Sequence, residues 1–255
     1  RGETQPSYEM PDASQEFLLL QQLSDLLYAH HYAGIPAGEA PLPGSHSTGE
    51  SADAFLRQLQ AANCTTEKFD RGWTVEEVEL SGGVLVRKAG ARRYTYAGDF
   101  IREQHHSGPV QKGEKVRLFN RREFTDGENG SFYYVFSETL LDFNNDALVR
   151  LYFHTGPRGA IQLVRLLTEG LNEWQVPFQF KCLKNEAAYL RFDSAVLYFE
   201  KRYFRMVAEM IKAQLPALLP LLKEGVPAFS RKLANGIGFA ENPLNPAESF
   251  GSSRC

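Results

Sequence analysis

Two spacings of apolar residues divide the chain. Near its start, Phe17, Leu20, Leu23 and Leu27 recur at intervals of three and four, which predicts a helix from Gln15 to about Ala29 with Ser14 as its cap. Phe55, Leu56 and Leu59 predict a second helix, capped by Ser51 and running to about Asn63. Between them, residues 33–51 are rich in Gly, Pro and Ser and read as a linker, and residues 1–13 read as a disordered lead-in. From Gly72 onward the period shortens to two. Trp73-Thr74-Val75, Val84 to Arg87, Val116 to Phe119 and the aromatic run Phe132 to Phe136 all read as strands, with a hairpin turn at Gly82-Gly83.

The most informative stretch runs from Val149 to Phe199. Alternation in Val149 to His154 sets Arg150, Tyr152 and His154 on one strand face and Val149, Leu151 and Phe153 on the other. Gly156-Pro157 ends that strand, and Pro157 suits the first turn of a helix. Ile161, Val164, Leu167, Leu171 and Trp174 then mark one face of a helix from Ala160 to Trp174. Phe178 to Leu183 is a second strand, with Gln179 and Lys181 opposite Phe180 and Cys182, and Ser194 to Phe199 is a third, preceded by Arg191 and Asp193. One polar sheet face is thereby expected to carry Arg150, Tyr152, His154, Lys181 and Arg191.

Beyond Phe199 a helix is expected from Lys201 to about Leu215, with Phe204, Val207, Met210 and Ile211 on one side. Pro216, Pro220 and Pro227 should fragment the segment after it. Residues 229–243 show little periodicity and read as a loop packed over something. The expected fold is α+β: a mixed, mostly antiparallel sheet with helices on one side. Residues 1–65 form a helical N-terminal subregion with its linker, and residues 66–255 form the α+β core.

Composition narrows the function classes. The chain has 255 residues, 43% hydrophobic and 23% charged, as in an ordinary globular protein. A formal net charge of -3 argues against nonspecific nucleic-acid binding while permitting a local basic pocket. No apolar run approaches the roughly 20 residues of a membrane span. Cys64, Cys182 and Cys255 form neither a disulfide framework nor a zinc spacing, so a reducing compartment, the cytoplasm, is expected, and Cys182 reads as a buried small hydrophobe. His30, His31 and His46 lie in or beside a loop and read as solvated, and His105-His106 reads as part of a mobile polar loop ending at Pro109. No phosphate loop, HExxH, GxSxG or CxxC motif is present. Neither a metal nor a cofactor is expected.

The chemistry that fits the polar face is anion binding with proton transfer. Arginine holds a phosphate bidentately and keeps its charge. A lysine among cations, partly desolvated, can act as a base, and a histidine can deliver a proton to a leaving group. Such parts suit β-elimination of phosphate, with Lys181 taking the Cα proton and His154 protonating the departing oxygen. From spacing alone, structural or solvent-facing roles for both residues in an ordinary sheet are the simpler account. Arg117, Arg121 and Arg122 precede the stretch and are further cationic candidates.

From about Arg150 to Cys255 the chain resembles the HopA-class family of bacterial type III effectors and their non-effector relatives. The resemblance is carried by Arg150 to His154, Pro177 to Lys181, Asp193 to Tyr198, Pro227 to Gly238, Ala240-Glu241-Asn242-Pro243 and Glu248 to Cys255. Relatives in class V lanthipeptide and thioamitide biosynthesis work beside a kinase and eliminate phosphate from a phosphorylated precursor peptide, leaving a dehydroamino acid. There is a looser similarity to phosphothreonine lyase effectors. What the resemblance implies is a cofactor-independent carbon–oxygen lyase with Lys181 as base and His154 as acid. Arg150, Arg191 and Arg254 are its candidate phosphate grips, with Tyr152 and Tyr198 orienting groups. Its implied partners are a phosphorylated peptide and a kinase. The lyase pattern has two lysines separated by one residue, and Gln179 stands at the first position here; Lys184 or an upstream arginine such as Arg117 would supply the missing contact. The competing expectation is a noncatalytic effector, secreted by a type III system, or a phosphopeptide-binding protein.

Overall fold

The computed structural model describes residues 12–35, 50–104, 107–127, 130–141 and 147–242. Helix α1 (Asp12–Leu26) continues into a π-helical turn, Leu27–Tyr32, and α2 spans Glu50–Ala62. Strands β1 (Lys68–Val78), β2 (Gly83–Lys88), β3 (Ala91–Tyr96), β4 (Phe100–Arg102) and β5 (Lys115–Asn120) form one sheet, ordered β3-β2-β1-β5-β4. A second sheet contains β6 (Glu123–Thr125), β7 (Phe132–Phe136), β8 (Leu148–Phe153), β9 (Phe178–Leu183), β10 (Ala195–Glu200), β11 (Arg231–Ala234) and β12 (Ile237–Glu241). Its order is β11-β12-β8-β10-β9-β7-β6. Helix α3 (Pro157–Glu173) links β8 to β9, and α4 (Phe204–Leu218) comes after β10. All the named strand pairings are antiparallel, so the α+β expectation holds, with two sheets in place of one.

The seven-stranded sheet is the frame of the molecule. One face packs Leu151, Phe153, Phe178, Phe180, Leu197 and Phe199 against Val164, Leu167 and Leu171 of α3, Val207 and Ile211 of α4, and Phe55 and Leu59 of α2, all buried. Burial of side chains this size contributes roughly 2 kcal/mol each, and this layer dominates the stability of the fold. Cys182 is fully buried within it, and burial pushes its thiol up to about 12. The smaller sheet has its own core of Trp73, Val75, Val84, Val86, Val116 and Leu118.

Several elements depart from expectation. The tail expected to be a loop forms the β11–β12 hairpin, and β12 pairs with β8. Asn235-Gly236 lies at its turn, with Gly236 at φ +67°, a hairpin dipeptide legible in the sequence. Pro216 does not end α4, which runs to Leu218 with the proline inside it near its C-terminal end. Trp174, assigned to the apolar face of α3, is its C-cap and is exposed. Helix α1 exposes Phe17, Leu20 and Leu23, because only the turn after it reaches the sheet. Helices α1 and α2 begin at Asp12 and Glu50, each ahead of the serine expected to cap it. His46, His105, His106, Cys255 and Arg254 lie outside the described residues.

Candidate functional site

The second face of the large sheet is polar and divided. Tyr152 of β8, Val196 of β10, Lys181 of β9 and Tyr134 of β7 stand opposite one another in a row across four strands. Arg150, Tyr198, Gln179 and Phe136 form the adjoining row. Directly opposed side chains on a sheet lie about 5 Å apart at Cβ, so the pairing alone brings these groups into contact range. Alternation in each strand sets which residues face this side. The strand order sets which of them become neighbours.

At the centre is a string of three cations interleaved by two aromatic rings. The Arg150 guanidinium lies 5.2 Å from the Tyr198 ring centroid, and the Lys181 ammonium lies 5.9 Å from that same ring. The Lys181 ammonium also sits 4.2 Å from the Phe132 centroid, with the Arg191 guanidinium 5.8 Å from it. Ring faces attract cations and let positive charges stand close together without a counter-ion between them. Among the described residues Lys181 makes no hydrogen bond or ion pair, which leaves its three ammonium donors to a ligand. Burial raises the Tyr134 phenol, an effect that the nearby Lys181 charge opposes.

The other cations are engaged. Arg191 donates from Nε and Nη2 to the two carboxylate oxygens of Asp193, and Nη2 also donates to the Tyr28 hydroxyl at 3.0 Å. The Arg191–Asp193 pair is therefore locally neutral, and the uncompensated charge of the string falls toward Lys181. Arg150 donates from Nε to the Asn242 side-chain oxygen at 3.1 Å. Lys184 pairs with Asp126 at 3.6 Å and donates to the Gly127 carbonyl, which ties it to the loop before β7.

Half of this face is roofed. Tyr28, Ala29, Tyr32, Ala33 and Ile35, from the turn after α1, pack on Tyr152, Val196, Tyr198 and Ala240. Tyr32 donates to the Tyr152 hydroxyl at 3.0 Å, and the Tyr28 and Tyr32 rings stack 5.1 Å apart. Burial pushes the phenols of Tyr152 and Tyr28 up to about 12, so both remain protonated donors at neutral pH. Sequence reasoning missed this roof. Its signal was the i, i+4 spacing of Tyr28 and Tyr32, which sets both rings on one side of a helical turn.

His154 lies apart from the string. It comes directly after the last residue of β8, with its backbone bonded to Gly236 and Lys223. Its Nδ1 lies 2.5 Å from the Glu224 carbonyl oxygen, which fixes the proton on Nδ1 and leaves Nε2 as the second ring nitrogen. The ring meets Phe192 edge-on at 4.9 Å and the residue is 6% exposed. Burial holds the imidazole below its ordinary range, an effect that the carbonyls of Glu224 and Gly225 partly oppose. Two strand spacings and two residues along the strand separate it from Lys181, on the order of 12 Å between Cα atoms. The structure thus brings Lys181, Arg150, Arg191, Tyr152 and Tyr198 together and sets His154 at their margin. Arg117 stands on β5 of the other sheet.

Known proteins share parts of this chain. The model of the HopA1 effector protein family matches residues 127–255, the half that contains β7 to β12. The effector protein from Pseudomonas syringae pv. tomato strain DC3000 aligns over 95% of this chain and 84% of its own, at 16% identity and a TM-score of 0.45. The effector from Pseudomonas syringae pv. syringae strain 61 aligns over 94% and 84%, at 15% identity and a TM-score of 0.47. No curated protein sequence matches the chain.

Proposed function

The chain belongs to the HopA1 effector protein family, and on that premise we propose that it is a cofactor-independent phosphoserine/phosphothreonine lyase acting on a phosphorylated peptide. The observation that carries the reading is the Lys181 ammonium, held between two rings and two arginines with no hydrogen bond or ion pair of its own among the described residues. In this reading the phosphate binds toward Arg150 and Arg191, with Tyr198 and Tyr152 behind it and Lys184 at the outer edge. Lys181 removes the Cα proton. The electron pair forms the Cα–Cβ double bond, the Cβ–O bond breaks, and phosphate departs with its bonding pair. His154, protonated at Nε2, gives that oxygen a proton, and a dehydroamino acid remains. A partner kinase would supply the phosphopeptide. The protein would act in the cytoplasm of the producing cell or, as an effector, of a host cell entered by type III secretion.

A noncatalytic phosphopeptide-binding role is the second reading, and His154 favours it. An imidazole packed under Phe192 and held neutral by burial is poorly placed to serve as an acid. Incubating the protein with a phosphothreonine peptide separates the two by mass spectrometry. Loss of phosphoric acid with formation of a thiol-reactive alkene supports the lyase. Binding with the phosphopeptide left intact supports the second reading and overturns the first.

A further inference from the structure

Among the described residues the roof over the sheet covers the β12–β8–β10 side, and this asymmetry decides where a peptide can lie. Tyr152 and Val196 are buried beneath Tyr32 and Ile35, whereas Lys181, Tyr134 and Phe132 toward the other edge are only partly covered. On that open side the rings of Phe132, Tyr134 and Phe124 form a continuous ladder. Phe132 and Tyr134 centroids are 6.3 Å apart, and Tyr134 and Phe124 centroids 6.0 Å. Phe132 is the ring against which Lys181 packs, and Phe124, on edge strand β6, is 45% exposed. Phe132 also packs against the main core, whereas Tyr134 and Phe124 belong to none of the core clusters, so the row runs from a cation at the edge of the core to an apolar ring in solvent.

From this arrangement we infer that the Phe132–Tyr134–Phe124 ladder is a substrate subsite. It receives large apolar or aromatic side chains of a peptide whose phosphorylated residue sits at Lys181. The inference deepens the proposed function and rests on its placement of phosphate at Lys181. Charge and shape commit the occupant: the cationic end takes an anion, and the ladder takes rings or branched aliphatics within a few residues of it. An extended peptide advances about 3.4 Å per residue and alternates its side chains. A chain crossing the ladder therefore sets every second side chain onto a ring. The roof blocks the opposite direction, so the peptide leaves the cationic string over β7 and β6.

Phe124→Ala tests this, because the residue lies at an exposed sheet edge outside the cationic string. Two fluorescein-labelled phosphothreonine peptides serve as probes, one with phenylalanines flanking the phosphoresidue and one with glycines there. Affinities are measured by anisotropy in the Lys181→Arg background, which keeps the positive charge and leaves the peptides intact, and elimination is measured with Lys181 present. The phenylalanine peptide should bind more tightly, and Phe124→Ala should weaken it by roughly three- to tenfold while leaving the glycine peptide unchanged. Equal affinity for the two peptides, an equal loss for both, or no binding of either overturns the subsite. If the selective loss is found but no peptide is eliminated, the subsite stands and the lyase reading falls.

Discussion

Arg191 and Asp193 face each other through two parallel hydrogen bonds, Nε to Oδ1 and Nη2 to Oδ2, both 2.8 Å long. The Asp193 side chain is 5% exposed and that of Arg191 17%. The pair therefore holds a cation in the site while cancelling most of its charge. A phosphate can draw on Arg191 only by competing with Asp193.

Removing one member of such a buried pair leaves the other uncompensated, at a cost of about 3 kcal/mol or more. Asp193→Asn should lower stability by that amount in urea unfolding. It should also tighten inorganic phosphate binding, because the guanidinium loses its internal counter-charge. Weaker phosphate binding by a folded Asp193→Asn protein would show that Arg191 needs Asp193 to be positioned.

Lys181 contributes little to the fold. Its contacts are two cation–π approaches on a partly exposed face, worth about 1 kcal/mol together. Lys181→Ala should therefore keep the unfolding midpoint nearly unchanged while abolishing elimination of phosphate. Lys181→Arg, which keeps the charge and cannot serve as a base, should retain phosphopeptide binding without turnover. Unchanged turnover in either variant removes the base assignment.

His154 gives a signed pH dependence. Its folded-state pKa is lowered, chiefly by burial. The stability it contributes as a neutral ring is complete above the ordinary imidazole value of about 6.5 and is lost as pH falls from there toward the folded-state value. His154→Gln should flatten the pH dependence of thermal unfolding in that window, relative to the unaltered chain. If His154 is also the acid, elimination in the unaltered chain should decline as pH rises through the lowered pKa, and the variant should lose that limb.

Gly34 and Gly225 enclose the Phe192 ring from two sides. Both have positive φ, +66° and +94°, and a Cβ at Gly225 would come within 2.7 Å of the ring; one at Gly34 would overlap it. Gly34→Ala should cost about 2 kcal/mol or more from strain and overlap. The loss should be accompanied by opening of the roof, read as faster amide exchange at Tyr32 and Ile35. Exchange unchanged at both residues would separate Gly34 from the roof.

Most of the strands, the α3 helix and the facing of Arg150, Tyr152 and Lys181 were legible in the sequence, because alternation and helical spacing are local properties of neighbouring residues; the three-residue β4 and β6 are too short to show an alternation. Cys182 as a buried small side chain was legible for the same reason. The β11–β12 hairpin was missed although Asn235-Gly236 marked its turn, because its few residues carry too short an alternation to outweigh their glycines. Which strands lie side by side was set by tertiary pairing alone. That pairing made Phe132 the ring shared by Lys181 and Arg191, put β10 between His154 and Lys181, and left Arg117 on the other sheet. Residues far apart in sequence also neutralise and cover one another only in three dimensions, as the Tyr28 hydroxyl does at Arg191 and the Glu224 carbonyl at His154. The sequence thus determined the chemistry available to the polar face, through residue type and local period. The fold alone decided which of those groups an incoming phosphate could reach, because access depends on strand order and on the roof that no local pattern encodes.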